Sequence, residues 1–592
     1  MATPFTGPAA APLAGLRFDA SGPPEIMSVV TDHLGLLGAR ADGPGRRDSA
    51  GHTALTGGGF EPAETHTQWA GFAGEVTDEA TAQAVTGVMA VHGRRDGAPR
   101  ALAADYTATA TGVLTVQALL AGLLAQARGG PAVKSATSAD RAGLLAVSQY
   151  LAAAGAPEPE ATGIAPGGPP FTSADGVVFE LETLDAGAWA EFWRAVGAPE
   201  SAVREGWRPF QFRYATACAP FPGELHTAVR GRPWAGIREA AERSGAQVCA
   251  LHTLAARAAE HDHAPPWTLT PLGSFAGGRG DGGPPAGPAP LAGLTVLEAG
   301  RRIQAPLAAQ LLNLLGAEVI RIEPPGGDPL RGMPPACSGV SARWLALNRG
   351  KSAVEVDIKS AGDRERLREL AAGADVFLHN WAPGKAAELG LDHPDLAAVN
   401  PALVYAYTGG WAGRLPGAPM GTDFMVQART GVGEAVRPAD EPPVPSLMTL
   451  LDVLGGLTGA EAVLAGLLLR ERTGRGARVD SSLLGAADVL TAPALRRGAE
   501  GGSFRRPAGF RRPLRTADGW IAVADSAARA AAGHDLRASS TGSALELLRS
   551  RGLSAAAVTA DLAGLPHDAR FQGVITRDPH GAPAVPAPWS FL

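Results

Sequence analysis

Compared with itself, the chain repeats. Pro12-Leu13-Ala14-Gly15-Leu16 recurs as Pro290-Leu291-Ala292-Gly293-Leu294, and Leu36-Leu37-Gly38-Ala39 as Leu314-Leu315-Gly316-Ala317, both 278 positions on (290 − 12). Further along the offset is 344 (427 − 83). There Gln83 matches Gln427, Thr86-Gly87 matches Thr430-Gly431, and Ala121-Gly122-Leu123-Leu124 matches Ala465-Gly466-Leu467-Leu468. Ala174-Asp175-Gly176 then matches Ala517-Asp518-Gly519, and Pro266-Trp267 resembles Pro588-Trp589. The chain therefore reads as two diverged copies of one unit, residues 11–275 and 289–592. Between them, 276–288 is a Gly/Pro-rich linker by composition, and its Arg279-Gly280-Asp281 triplet is read as an accident of that composition.

The copies are unequal in complementary ways. Copy one lacks about 66 residues between Ala39 and Gln83, the difference between the two offsets (344 − 278). Copy two is abbreviated after Gly519, where SAARAAAGHDLRASSTG stands in place of the aromatic AGAWAEFWRAVGAPESAVREGWRPFQFRY of copy one. Neither copy reads as complete alone.

Copy two opens as alternating strands and helices. LTVLEAG (294–300), EVIRIE (318–323), SAVEVDI (352–358), DVFLHN (375–380) and ALVYAYTG (402–409) read as strands, with helices at 305–317 and 362–373. Apolar strands alternating with helices predict an α/β fold, a parallel sheet covered on both faces, whose ligands bind beyond the carboxyl ends of the strands. Asn380 and Gly409 fall at such ends. Glu323 stands where a ribose-binding acid of a dinucleotide site falls, but the first turn, Gly300-Arg301-Arg302-Ile303-Gln304-Ala305, has no G-x-G-x-x-G, so NAD is not expected.

Composition excludes some functions. The net charge of −6 gives no nucleic-acid or anionic-membrane footprint. Cys218, Cys249 and Cys337 are scattered and form no metal or redox motif, which suits a reducing cytoplasm. The N-terminus lacks the charged and apolar regions of a signal peptide. The most apolar run, Val453 to Leu469, carries Glu461 and reads as a buried helix rather than a membrane span. His261-Asp262-His263 has no third ligand by spacing and reads as a solvated loop, so no metal is expected.

The richest stretch runs from Thr422 to Leu484. An acid-rich turn, Arg437-Pro438-Ala439-Asp440-Glu441-Pro442-Pro443, leads into a long apolar helix, a basic turn Arg470-Glu471-Arg472-Thr473-Gly474-Arg475-Gly476, and Val479-Asp480. This stretch resembles the family III CoA-transferases, the formyl-CoA and carnitine-CoA transferase family, whose pattern is Gln, a Gly-rich turn, Asp-Gly-Pro-Pro, an apolar helix, Arg-Thr-Gly-Arg-Gly and Val-Asp. The resemblance covers nearly all of copy two. Leu347-Asn348-Arg349-Gly350-Lys351 resembles the family's Leu-Asn-x-x-Lys turn, and Asn380-Trp381-Ala382-Pro383-Gly384 its Asn-Phe-x-Pro-Gly turn. Gln304, Ala305, Gly409 and Gly410 fall at further segments that touch CoA in that family.

The resemblance implies a duplicated Rossmann-like CoA-binding domain with a smaller α/β domain, and transfer of coenzyme A from an acyl-CoA to a carboxylic acid. Coenzyme A is then a substrate, with no permanently bound cofactor and no nucleic-acid or membrane partner. It implies Asp440 as the nucleophile, with Glu441 replacing the family's Gly, and Lys351 as the cation for CoA. Backbone N–H groups at Gly498 and Gly501-Gly502 are candidates to steady the oxyanion. Asp423 is the candidate for an alternative, acyl-CoA racemase or isomerase chemistry, though no His lies between Tyr405 and Thr422 to pair with it. Asp96, in copy one's Asp96-Gly97-Ala98-Pro99, is a relic or secondary acid. A third reading is a non-catalytic CoA-binding duplicate. The family's dimers interlock like linked rings. The fused copies are accordingly expected to form an intramolecular pseudo-dimer or a homodimer, with Trp189, Phe192, Trp193, Trp207 and Phe210 packing over the Asp440 site.

Overall fold

The computed structural model describes residues 11–43, 46–48, 51–272 and 289–592. The expected linker at 276–288 lies outside the described residues.

Copy two opens as its pattern predicts. Strands Thr295–Ala299, Glu318–Glu323, Ser352–Glu355, Val376–His379 and Val404–Gly409 are interleaved with helices, including Gln304–Leu314 and Ala361–Ala372. A sixth strand, Ala477–Ser482, follows the long helix Leu450–Thr473. All six pair in parallel. The sheet grows outward from Thr295–Ala299 through Glu318–Glu323 to Ser352–Glu355, then resumes on the other side with Val376–His379. The strand order reverses at that point, which opens a crevice at the carboxyl ends of Thr295–Ala299 and Val376–His379. Val376–His379 is buried at every position, as a strand covered on both faces must be.

Copy one keeps the frame without its middle. Leu16–Gly22, helix Pro24–Leu36, Phe60–Gln68, helix Tyr106–Ala127 and Lys134–Ser138 follow the order of copy two. Where copy two places the parallel strand Val376–His379, copy one has Gly51–Gly57, antiparallel to both neighbours. A short hairpin needs no crossover helix, so it closes the sheet with far fewer residues.

The equivalent helices Tyr106–Ala127 and Leu450–Thr473 pack against each other at the centre of one apolar core that runs through both halves. Each is long and apolar enough to cross a bilayer, and each is enclosed by the fold. Gln117 Nε2 donates to the Leu457 carbonyl at 2.7 Å, and His33 Nδ1 lies 2.9 Å from the buried Glu461 carboxylate.

The halves exchange their ends. Trp267–Pro271 of copy one adds an antiparallel edge strand to Ala477–Ser482 in the sheet of copy two. Ser590–Phe591, at the end of copy two, adds one to Lys134–Ser138 in the sheet of copy one. The repeated Pro-Trp pair marks these crossings. Trp267 Nε1 donates to Glu461 at 3.3 Å, and Trp589 Nε1 donates to the Leu114 carbonyl at 2.9 Å. Gly485 shows how close the crossing is: a Cβ there would stand 2.1 Å from the Pro266 carbonyl oxygen.

Each copy also carries a small three-stranded domain that sits on the other half. Copy one's is built on Phe171–Thr172, Val178–Glu182 and Gln247–Ala250, and Glu182 accepts from Thr422 Oγ1 of copy two at 2.8 Å. Copy two's is built on Leu514–Arg515, Trp520–Val523 and Ala555–Ala557. The Thr559 amide beside it donates to the Ala84 carbonyl of copy one at 2.9 Å.

Candidate active site

Two cavities meet at the switch-point crevice. The outer one, of about 340 Å³, is bounded by Ala299, Gly300, Arg301, Glu323, Pro324, Asp357, Lys359 and Trp381. Pro329 also borders the inner one, of about 440 Å³. The inner cavity is walled by both halves. Copy one's small domain supplies Glu182, Leu184, Trp207 and Tyr214, and copy two supplies Arg302, Ile303, Trp344, Leu347, Asn348 and Asp452.

Asp452 was not singled out from the sequence. It is the third residue of helix Leu450–Thr473. The helix dipole there favours an anion. The residue entering the helix, Thr449, has φ 55. A β-branched residue in the left-handed region is strained, and such strain collects at functional sites. Behind Asp452 lies Asp423, fully buried, whose carboxylate accepts from the Asp452 backbone N–H at 2.7 Å and from Gln427 Nε2 at 2.5 Å. No side chain among the described residues donates to the Asp452 carboxylate. Burial pushes Asp423 up to about 6. Burial, and then the charge of Asp423, hold Asp452 well above the usual carboxylate range, with Arg302 opposing. Two neighbouring carboxyls that resist double ionisation share a proton.

The repeat explains this arrangement. At the 344 offset, Asp423, Gln427 and Asp452 correspond to Glu79, Gln83 and Ala108. Gln427 clamps Ser446 through both amide atoms, at 2.9 and 2.8 Å, and Gln83 clamps Leu102 likewise, at 3.1 and 2.8 Å. Glu79 caps helix Tyr106–Ala127 by accepting from the Thr107 and Ala108 amides, at 2.8 and 2.7 Å, as Asp423 caps helix Leu450–Thr473. The cap is common to both halves, whereas the carboxylate that faces a cavity occurs in one. An acid in the first turn of an otherwise apolar helix, matched to an alanine in the repeat, was the available signal.

Several expected site residues lie elsewhere. The Asp440 carboxylate is on the surface, accepting from the Gly509 amide at 3.0 Å and from Arg512 at 2.5 Å. The Gly509 hydrogen bond and then Arg512 hold its pKa below the usual range. Its turn is a joint between the copies: Arg437 pairs with Asp96 at 2.9 Å, and Arg100 pairs with Glu441. Asp440 and Asp96 thus lie on the two turns that meet there, and neither lines the inner cavity. Gly498 packs on Phe504 and Gly502 lies against the Arg497 carbonyl, and neither glycine lines the inner cavity. Trp189, Phe192, Trp193 and Phe210 form the core of copy one's small domain, and of the five aromatics only Trp207 reaches the inner cavity.

Lys351 is not a free cation. Its Nζ is fully buried and donates to Glu298 at 2.8 Å, to the Pro306 carbonyl at 2.7 Å and to Asn348 Oδ1 at 3.0 Å. Burial lowers its pKa to about 8, against the pull of Glu298. Asn348 also accepts from Arg321 at 2.7 Å, so Lys351, Asn348, Arg321 and Glu298 form one buried network that borders the crevice through Asn348 and Arg321. Lys351→Met is expected to destabilise the protein by roughly 3 kcal/mol, because Glu298 loses a buried partner. Its chemical denaturation midpoint falls clearly below that of wild type.

The other expected contacts fall around the crevice. Asn380 exchanges hydrogen bonds with the Arg301 backbone, both at 2.9 Å, which ties the two strand ends at the switch point. Trp381 lines the outer cavity, and Leu347 and Asn348 line the inner one. Gln304 and Ala305 are buried at the start of helix Gln304–Leu314, with Gln304 Nε2 3.4 Å from the Gly409 carbonyl. Gly410 lies against Gly421, its Cβ position 2.4 Å from the Gly421 Cα. Ala382 is exposed on the turn that follows Asn380. The loop at His261-Asp262-His263 is tied down by Arg414, which pairs with Asp262 and with Asp488, and no group of potential metal ligands occurs among the described residues.

An open sheet of six parallel strands, with a two-chambered crevice at its switch point and a carboxylate at its inner end, places the chain in the open α/β class, whose ligands bind beyond the carboxyl ends of the strands. Residues 67–266 and 291–547 match CoA-transferase family III. The chain belongs to that family. Succinyl-CoA:glutarate CoA-transferase of Mus musculus is 37% identical over 198 residues, 33% of this chain and 45% of that protein. A probable fatty acyl-CoA transferase of Mycobacterium tuberculosis is 38% identical over 196 residues, 32% of this chain and 50% of that protein. The chain thus spans about half the length of the curated relatives it matches. The crystal structure of a CaiB/BaiF family protein from Brucella suis is 28% identical, with a TM-score of 0.45, and covers 50% of this chain and 91% of that one.

Proposed function

We propose that the protein transfers coenzyme A from an acyl-CoA to a carboxylic acid at a single site whose nucleophile is Asp452. The observation that supports this most is the position of Asp452, at a helix N-terminus and at the inner end of a crevice built from strand ends. The nucleotide end of CoA fits the outer chamber, where Arg301, Lys359 and the face of Trp381 are available. The relatives named as CoA-transferases, one acting between succinyl-CoA and glutarate, support the reaction type. We also propose that this activity belongs to one chain acting alone, since copy one supplies about half of the cavity wall, and that it works in the cytoplasm, where the three free buried cysteines stay reduced.

In this reading the Asp452 carboxylate attacks the thioester carbonyl and the CoA thiolate leaves, which gives a mixed anhydride. The thiolate then attacks the aspartyl carbonyl. The donor acid departs as a carboxylate and an aspartyl-CoA thioester remains. The acceptor carboxylate attacks that thioester, expelling the thiolate, and the thiolate takes the acceptor acyl group from the new anhydride. Asp452 is restored, and no proton is gained or lost overall. Hydroxylamine added with acyl-CoA traps the intermediate as a hydroxamate on Asp452. A modified residue other than Asp452, or none, sinks the assignment.

The shared proton sets the pH dependence. Asp452 attacks only when ionised, and the neighbouring charge of Asp423 delays that ionisation. Turnover is therefore expected to rise with pH through a region well above the ordinary carboxylate range and then level off. Asp423→Asn removes the neighbouring charge, so Asp452 ionises at lower pH and the acid limb moves down. A limb that stays in place, or moves up, contradicts the pairing.

A further inference from the structure

The inner cavity also carries information about the acid that enters it. Its apolar lining comes from both halves: Leu184, Trp207 and Phe212 from copy one, and Ile303, Met333 and Trp344 from copy two. Three arginines reach it. Arg213 is committed to Glu182 at 2.8 Å, and Arg343 is committed to Glu160 at 2.5 Å. Arg302 pairs with no carboxylate among the described residues. Its guanidinium lies 5.4 Å from the centre of the Tyr214 ring, and its own backbone is held at φ 66 by the turn that opens helix Gln304–Leu314. Glu182 is satisfied by Arg213, Thr422 and Tyr214. Among the described residues that line the cavity, the charged groups in no ion pair are therefore one cation, Arg302, and the Asp452 carboxyl, on which the Arg302 charge acts without direct contact.

From this charge count we infer that Arg302 is the docking cation for the acid's single carboxylate, and that the site takes monocarboxylic acids with an apolar aliphatic or aryl body. The inference rests on the CoA-transfer reading above. A carboxylate approaching the aspartyl thioester comes close to Glu182 and Asp423, so a cation that no protein acid occupies lowers the electrostatic cost of its entry. A second carboxylate finds no free partner, because Arg213 and Arg343 are already paired. It would be left among Trp207, Phe212 and Trp344, where an unpaired charge is costly.

The test uses the full-length chain and hexanoyl-CoA. Hexanoate, phenylacetate, succinate and glutarate are compared as acceptors by following the new acyl-CoA, or isotope exchange in the case of hexanoate. Wild type is expected to favour hexanoate and phenylacetate over both dicarboxylates in kcat/KM by tenfold or more. Arg302→Gln should raise the KM for hexanoate by roughly 10- to 100-fold, the loss of one charged hydrogen-bond partner. The KM for hexanoyl-CoA should move much less. Arg302→Lys should recover part of the loss, and Arg302→Gly, which relieves the left-handed backbone, should behave like Arg302→Gln. A preference for glutarate or succinate overturns the inference alone. So does a rise in the KM for hexanoyl-CoA with the acid KM unchanged, which would place Arg302 on CoA instead. Failure of wild type to transfer CoA to any of the four acids overturns the CoA-transfer reading, and this inference with it.

Discussion

Asp452→Ala is expected to reduce CoA transfer by roughly four orders of magnitude or more, the scale on which removing a covalent nucleophile acts. Asp440→Ala should leave turnover within about twofold, because a surface carboxylate paired with an exposed arginine contributes little. The loss in Asp452→Ala should not come from unfolding. A carboxyl held above its ordinary pKa binds more protons folded than unfolded. It therefore subtracts stability as pH rises from the ordinary carboxylate range to the raised value, and above that value the cost is at its full size. Removing it should leave the thermal midpoint at pH 8 at or above that of wild type. Asp452→Glu keeps the charge but displaces the attacking oxygen by about 1 Å, enough to cost roughly a hundredfold. Steady-state rates with one donor and one acceptor decide the matter: full activity in Asp452→Ala would return the nucleophile to Asp440 or Asp423.

Expressed alone, residues 289–592 are expected to be insoluble or inactive. The fragment lacks Trp267–Pro271, so Ala477–Ser482 becomes an open sheet edge. It also exposes the face of Leu450–Thr473 that packs on Tyr106–Ala127, a large apolar surface. Half of the inner cavity wall, including Glu182, Trp207 and Tyr214, is gone as well. Co-expression with residues 1–280 should restore soluble, active protein. A soluble fragment with full-length activity would show that the two halves are not interdependent.

Much of this molecule was legible in its sequence. The apolar runs at Glu318–Glu323 and Val404–Gly409 and their alternation with helices pointed to a parallel α/β sheet. The self-match at two offsets revealed the duplication and even the paired Pro-Trp crossings. Leu347, Asn348, Asn380 and Trp381, which lie around the crevice, were singled out because their turns resemble those of the family.

What the sequence by itself determined is the class of fold, the doubling of the unit and the family. These follow from local propensity and repeated pattern, which depend on neighbours along the chain. Only the tertiary structure decided which acid faces a cavity. Asp440 and Asp452 are twelve positions apart, and both stand in a turn or first helical turn that accepts a carboxylate. Asp440 is turned toward Arg512 at the joint between the copies, and Asp452 toward a space enclosed by a domain more than two hundred residues earlier. The same holds for the cations. Lys351 and Arg302 are equally charged on paper, yet Lys351 is enclosed by Glu298, Asn348 and the Pro306 carbonyl, whereas Arg302 borders the cavity and forms no ion pair with a carboxylate among the described residues. Desolvation and pairing are properties of the packed protein, so they assign these roles only once distant segments have met.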